Sequence, residues 1–137
     1  MSVDLFVFLS ESGLPTTAQW QDALDRLGVD MRLDGSIDAA DHSGFWPAQC
    51  GSRRVGFEFY TGPVAERFGA QPPDGLGGRD FVANFVTHSD LQELRCAMLA
   101  AAALATETGG VVLDPQSGAL MDGSTLLMEA ETIEPSA

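Results

Sequence analysis

The sequence predicts a single α+β domain over residues 1–137, with a mainly antiparallel sheet and two helices packed on one face as a two-layer sandwich. Three observations predict this class. The elements follow the order strand, helix, several strands, helix and hairpin, and turn residues rich in Gly, Pro and Asp separate them. A chain of 137 residues is also long enough to bury one hydrophobic core.

The first strand is predicted at residues 3–9 (VDLFVFL), which are apolar on both faces from Leu5 onward, as in the middle of a sheet. A helix is expected to begin at Pro15 and Thr16 and to end at Gly28. Its apolar positions repeat at helical spacing and form a buried stripe of Trp20, Leu24 and Leu27.

The middle of the chain alternates short strands with loops. Residues 31–33 predict a short strand, and residues 36–47 (SIDAADHSGFWP) predict an ordered loop. Residues 55–60 (VGFEFY) predict a clearer strand with one apolar face and one half-polar face, the latter formed by Gly56, Glu58 and Tyr60. A helical turn is expected within residues 61–68, followed by a mobile, Pro- and Gly-rich loop over residues 69–78.

Another strand and the longest helix are predicted next. Residues 80–87 (DFVANFVT) form the strand, in which Asn84 is a polar residue among apolar neighbours. Ser89, with Gln92 three residues later, forms a capping box for a helix that runs to about Thr108. The Ala-rich part of this helix is apolar nearly all round, which suits close packing against a sheet.

The chain is predicted to finish with a hairpin formed by residues 111–113 and 119–121, and the tail from Ser124 shows no clear pattern. Because two helices cover one side of the sheet, the other face should be solvated, covered by the loop 36–47, or docked on a partner. The aromatic content of the strands favours the last two arrangements, and a homodimer through that face stays open.

Charge gives the strongest indication of function. Twenty Asp and Glu residues stand against seven Arg and no Lys, for a formal net charge of −13. Such a chain is repelled by nucleic acid and by anionic membranes and is attracted to basic proteins. No apolar run is long enough to span a bilayer, and Cys50 and Cys96 are expected to be reduced thiols, so the chain is predicted to be cytoplasmic.

Metal and catalytic sites are not predicted. Each His precedes a Cys by eight residues, whereas structural zinc sites pair ligands about two to five residues apart. The aspartates from Asp30 onward do not fit the ligand order of an EF-hand loop. Asp41, His42 and Ser43 have the residue types of a nucleophilic relay, but adjacent residues cannot form one. The sequence therefore predicts no enzyme, no metal and no cofactor.

Two large aromatic residues, Phe45 and Trp46, lie in the predicted loop just before Pro47. Two interpretations stay open for them. They plug a gap over the sheet, or they form an exposed anchor within a carboxylate-rich surface. The second interpretation predicts a partner-binding site composed of Asp34, Asp38, Asp41, His42, Phe45, Trp46, Glu58 and Tyr60.

Four segments together resemble a family of small, uncharacterised, acidic bacterial cytosolic proteins that are similar to the immunity proteins of polymorphic-toxin systems. The segments are residues 14–28 (LPTTAQWQDALDRLG), 42–47 (HSGFWP), 56–60 (GFEFY) and 109–116 (GGVVLDPQ). The resemblance implies a bacterial domain without established catalytic residues, and it transfers no functional residue to this chain.

The first functional hypothesis is a non-catalytic protein-binding domain, of the kind represented by an immunity protein that neutralises a basic toxin or partner. The alternative is a small-molecule-binding module, expected to be dimeric, whose ligand the sequence does not identify. That module would hold its ligand between the exposed sheet face and the loop 36–47.

Overall fold

One seven-stranded sheet organises the protein in the computed structural model, which describes residues 2–88 and 90–134. The strands are β1 (Ser2–Leu9), β2 (Met31–Leu33), β3 (Gly44–Cys50), β4 (Arg53–Pro63), β5 (Phe81–His88), β6 (Val111–Leu113) and β7 (Leu120–Met121). The helices within these residues are α1 (Thr17–Arg26), α2 (Val64–Phe68), α3 (Leu91–Thr108) and α4 (Gly123–Ala130). The strand order is β2-β3-β4-β5-β1-β6-β7, and every neighbouring pair is antiparallel. The predicted α+β class with an antiparallel sheet is confirmed.

Strand β1 lies in the interior of the sheet, between β5 and β6, as its two-sided apolar pattern predicts. All eight of its residues pair with β5, from Ser2 opposite His88 to Leu9 opposite Phe81. This register fixes which side chains share a face. Leu5, Val7 and Leu9 point to one side, and Asp4, Phe6 and Phe8 point to the other.

The first face of the sheet carries the main core, against which α1, α3 and α4 pack. Helix α1 starts as predicted, because Thr16 and Gln19 exchange side chain to backbone hydrogen bonds in a capping box. Trp20 is fully buried, and its indole nitrogen donates to the Ala100 carbonyl of α3 at 2.9 Å. The run of small alanines in α3 allows this helix to lie close to the strands.

The second face carries a smaller apolar cluster. Phe6, Phe8 and Val82 from the sheet pack there against Val64 of α2 and Leu76 of the loop that follows α2. The arrangement of two helices on one face is therefore not confirmed, because three helices cover the first face and α2 lies on the second. The turn predicted within residues 61–68 is α2, and the Leu76 side chain ties the loop 69–78 to the sheet.

The predicted loop 36–47 is wrong over its last four residues, 44–47, which belong to β3. Proline disfavours a strand because it cannot donate a ladder hydrogen bond. The carbonyl of Pro47 accepts from the Asp34 amide at 3.1 Å, just past the end of β2. In an antiparallel sheet, the N–H and C=O of one residue point to the same neighbouring strand. The Pro47 nitrogen therefore faces β2, as its carbonyl does, and its missing N–H costs no hydrogen bond to β4.

Two further differences lie at helix ends. The proposed cap Ser89 lies outside the described residues, and Asp90 caps α3 by accepting from the amides of Gln92 and Glu93. The tail that shows no pattern in the sequence contains α4, whose cap Asp122 accepts from the Thr125 amide. Among the described residues, no helix is both long and apolar enough to cross a membrane.

Candidate functional site

The candidate site is the half of the second sheet face that α2 and its following loop leave uncovered. The strand register places Phe45, Glu58, Val86 and Asp4 side by side across four strands, and Tyr60 stands beside Asn84 in the next row. We call this surface the open face, and it consists of Asp4, Phe45, Glu58, Tyr60, Arg67, Asn84, Val86 and His88. It combines exposed aromatic rings with charged and polar groups on a rigid sheet.

Glu58 binds two other side chains of the open face. The Tyr60 hydroxyl donates to one of its carboxylate oxygens, and the His88 imidazole pairs with the other. Hydrogen bonds from Tyr60 and His88 stabilise the carboxylate and lower the pKa of Glu58. The same contact raises the pKa of Tyr60, because a phenolate would be repelled by the adjacent carboxylate and could no longer donate to it.

Asn84 is the buried polar centre of this surface. Its amide nitrogen donates to an Asp4 carboxylate oxygen at 3.2 Å and to the Leu5 carbonyl at 3.3 Å. Its amide oxygen accepts from Arg67 of α2 at 3.0 Å. The Arg67 guanidinium also lies over the Phe6 ring, 5.5 Å from the ring centre. Asn84, the polar residue among apolar neighbours of β5, is therefore satisfied by hydrogen bonds within the fold.

A cavity of about 450 Å³ opens between the sheet and α2. It is lined by Asp4, Tyr60, Thr61, Gly62, Pro63, Glu66, Arg67, Val82, Asn84 and Val86. Its polar groups thus include two carboxylates and one guanidinium over an apolar floor. The predicted position of a pocket is wrong, because α2 rather than the loop 36–47 forms its wall.

The exposed aromatic ring of the open face belongs to Phe45, which is 54% exposed. Its ring lies directly over Gly56 of the neighbouring strand, where an added Cβ would come within 2.6 Å of the ring. Because Gly56 has no side chain, the Phe45 ring can pack flat against the sheet at this position. The partially exposed ring of Tyr60 lies further along β4 on the same face.

Trp46 does not belong to the surface, and its assignment as a partner contact is corrected. Successive side chains of a strand point to opposite faces, so Phe45 points outward while Trp46 enters the main core, where it is fully buried. Its ring packs edge-on against Trp20 and Phe59, at centroid distances of 5.3 and 5.2 Å. The gap-plugging interpretation is therefore right for Trp46, and the exposed interpretation fits Phe45.

The predicted aspartates lie apart from the open face, in the turns that connect β2 to β3. Asp34 accepts from the Ser36 hydroxyl and amide, which lowers the pKa of Asp34. Asp38 accepts from the Ala40 amide, and Asp41 is exposed. Beside them, Ala39 is buried in the main core, so this loop packs on the first face and does not cover the second.

His42 holds the start of β3 in place. Its Nε2 atom lies 3.1 Å from the Gly44 carbonyl oxygen and 2.8 Å from the Phe45 carbonyl oxygen, so the tautomer protonated at Nε2 fits this position. The ring also packs edge-on against Trp46, with 5.6 Å between centroids. Of the predicted site residues, Phe45, Glu58 and Tyr60 lie together on the open face. His42 contacts the backbone at the start of β3 and the Trp46 ring.

The sequence interpretation missed Asp4, Arg67 and His88. A signal was present for two of them, because Asp4 interrupts an apolar strand and His88 ends another one, so both mark a partly solvated face. Their proximity to Glu58 follows from the pairing of β1, β4 and β5, which no local pattern specifies. In the described part of the chain, no three His, Cys, Asp or Glu side chains are placed to hold a metal ion together.

The Tyr60–Glu58 contact gives a titration that can be followed directly, since Tyr60 is the single tyrosine of the chain. We expect Tyr60 to deprotonate above its ordinary pKa, and Glu58→Gln to return that pKa toward the ordinary value. Because the pKa of Tyr60 is higher in the folded protein than in the unfolded chain, its protonated form stabilises the fold. This contribution is complete below the pKa of the unfolded chain and is lost as pH rises through the pKa of the folded protein. Ultraviolet absorbance against pH measures the change, and an unshifted Tyr60 in the parent protein would contradict the contact.

Comparison with known proteins identified no relative. No protein-family model, no curated protein and no solved structure matches this chain.

Proposed function

We propose that this chain is a non-catalytic protein-binding domain whose open face docks on a basic partner, as an immunity protein docks on a basic toxin. The observation that carries the proposal is the placement of Phe45 and Tyr60 on one sheet face among the carboxylates of Asp4, Glu58 and Glu66. Interface hot spots combine aromatic anchors with a surrounding polar rim. Here the rim is largely acidic.

Several arginines bind groups away from the open face, so their charges do not offset its carboxylates. Arg26 pairs with Glu107, and Arg53 pairs with Asp90 at 2.7 Å. Arg79 donates to the Leu76 and Gly109 carbonyls. With a net charge of −13, the chain would attract a basic surface over distances of about one Debye length, roughly 8 Å at physiological salt.

The same charges argue against a homodimer through the open face. Two copies placed face to face would bring Asp4, Glu58 and Glu66 of each close to the same residues of the other, and like charges destabilise such a contact. A basic partner would instead pair with these carboxylates. Size-exclusion chromatography at low and high salt separates the two cases, because a homodimer held against this repulsion would strengthen as salt rises.

The binding test uses a tagged form of the chain to capture proteins from its native host at low ionic strength. We expect a stoichiometric basic partner, and we expect Phe45→Ala to weaken its affinity by at least about 10-fold, the size of a moderate hot spot. Met128→Ala is the matched control, since Met128 is 70% exposed but lies on α4 and not on the open face. Raising the salt concentration should slow association of both proteins with the partner.

Two outcomes would contradict different parts of the proposal. Failure to recover any stoichiometric basic protein at low salt would reject the binding function. A recovered partner that binds Phe45→Ala and Met128→Ala equally well would keep the function but reject the open face as its site. Both variants change exposed side chains, so a loss of binding is not expected to reflect unfolding.

The cavity beside α2 supports a second candidate, a small-molecule-binding module. Its volume of about 450 Å³ lies within the usual range for ligand pockets, roughly 300–1,000 Å³. Arg67 and Asn84 would orient a polar ligand there, whereas Phe45 does not line the cavity. A metabolite that raises the melting temperature equally in the parent protein and in Phe45→Ala would favour this candidate over a protein partner.

A further inference from the structure

The two cysteines form a site that is separate from the open face. Cys50 is the last residue of β3 and points toward the first face, and Cys96 lies in α3, which packs on that face. Both are free thiols in the main core. Helix α3 packs against β3, and the two thiols interact with each other there.

Arg95 makes the two sulfurs unequal. Its Nη1 atom donates to the Cys50 sulfur at 3.1 Å, and its buried Nε atom has no hydrogen-bond partner among the described residues. A neutral thiol is only a weak acceptor, so a guanidinium placed there favours the thiolate form of Cys50. The two donors, Cys96 first and Arg95 also, lower the pKa of Cys50 to about 7 despite its burial. The pKa of Cys96 is raised, chiefly by that contact with Cys50 and by burial.

We propose that Cys50 and Cys96 form a peroxide-reactive dithiol, in which Cys50 is the attacking sulfur and Cys96 resolves it to a disulfide. The geometry supplies two parts that such a site needs: a sulfur held by a cation and, on the helix packed against its strand, a second thiol that interacts with it. Cys50 keeps 8% of its area exposed, while Cys96 has none exposed. A small hydroperoxide can therefore approach Cys50 first.

The reaction balances with a hydroperoxide as the oxidant. The Cys50 thiolate attacks one peroxide oxygen, the O–O bond breaks, and the other oxygen leaves as an alkoxide or hydroxide that takes up a proton. Cys50 is then a sulfenic acid. The Cys96 sulfur gives up its proton and attacks the Cys50 sulfur, the S–O bond breaks, and the oxygen leaves as water. Two thiols and one hydroperoxide thus yield one disulfide, one water and one alcohol or second water.

Three charged groups act on this pair. Arg95 favours the Cys50 thiolate, whereas Asp30 at the start of β2 opposes it, and Glu93 opposes ionisation of Cys96. Arg53, which pairs with Cys50 across β3 and β4, is bound to Asp90. Oxidation of Cys50 should therefore accelerate as pH rises through about 7 and then level off.

Tryptic mapping of the folded, peroxide-treated protein tests the proposal. Because the chain has no lysine and no arginine after Arg95, trypsin releases Cys50 within residues 33–53 and Cys96 within residues 96–137. We expect these two fragments to be joined under non-reducing conditions, with the intact protein monomeric and two hydrogens lighter. Two results would overturn the proposal. In the first, both thiols of the folded protein stay reduced at a peroxide dose that oxidises the urea-unfolded chain. In the second, disulfides form only between chains.

Single variants identify the role of each sulfur. In Cys96→Ser, oxidation should stop at a Cys50 sulfenic acid, which dimedone traps. In Cys50→Ser, Cys96 should stay reduced at the same peroxide dose. Arg95→Gln should slow oxidation of Cys50 by about 3-fold to 10-fold near neutral pH but much less in alkali, where the thiolate forms without help. Equal oxidation of Cys96 with and without Cys50 would refute the assigned order. If a serine variant does not fold, the wild-type map and the Arg95→Gln pH profile still decide.

Discussion

Replacing Trp46 by alanine is expected to lower the free energy of unfolding by about 3–5 kcal/mol, the usual loss for a buried tryptophan. Trp46 is fully buried, and its ring contacts the rings of Trp20, Phe57, Phe59 and His42. Its indole nitrogen has no hydrogen-bond partner among the described residues, so the loss is one of packing. Urea denaturation followed by circular dichroism measures the change.

Phe45→Ala is the matched control for this prediction, because Phe45 is adjacent in sequence but lies on the exposed side of the same strand. We expect this control to lose less than about 1 kcal/mol, since much of its ring already contacts water. Similar losses for the two variants would mean that Trp46 and Phe45 do not point to opposite faces. The pair also separates stability from binding, since Phe45→Ala should affect the partner and Trp46→Ala mainly the fold.

The segment containing these two aromatics shows how far the sequence alone could lead. The residue types indicate that large rings here are either buried in a gap or exposed, and both arrangements occur, one on each face of β3. The sequence interpretation treated the pair as one unit because it placed both residues in the predicted loop 36–47. A strand that contains Pro47 is acceptable only because β2 ends beside this residue. Where β2 ends is a property of the strand pairing and cannot be read from the segment itself.

Elements with strong local signals were predictable. The β1 pattern, the Thr16 cap of α1 and the Ala-rich α3 all agree with the structure within one or two residues. Helix α4 was missed because its Asp122 cap follows directly on β7, so only one residue separates the strand pattern from the helix pattern. Gly123 within it accepts no side chain without moving α3, since an added Cβ would lie 2.6 Å from the Ala102 carbonyl oxygen.

The open face could be predicted only in part, because it is assembled by long-range pairing. Glu58 and Tyr60 alternate on one strand, and this local pattern correctly indicated a half-polar face. Asp4 and His88 come to this face from β1 and β5, which are far apart in sequence, and His88 pairs with Glu58. The net charge indicated the sign of a partner but not the surface that meets it, because most acidic residues are spread over loops and helix ends.

Gly56→Ala is expected to destabilise the protein by about 2–4 kcal/mol and to displace Phe45 from its position on the open face. A Cβ at residue 56 would lie 2.4 Å from the Trp46 carbonyl oxygen and 2.6 Å from the Phe45 ring. The ring could turn away, but the carbonyl belongs to the backbone of the adjacent strand, so relief requires β3 and β4 to separate locally. Thermal denaturation and Phe45 ring signals in NMR spectra measure the two effects.

Gly62→Ala on the same strand is the control, because an added Cβ there meets nothing closer than a Glu66 carboxylate oxygen at 4.0 Å. A small stability change at Gly62 and a large one at Gly56 would show that the close contact, and not strand propensity, causes the loss. If Gly56→Ala remained as stable as Gly62→Ala, β3 and β4 could not be as close as the register requires. Phe45 would then lack its packing position over Gly56, and the open face would lose the proposed anchor.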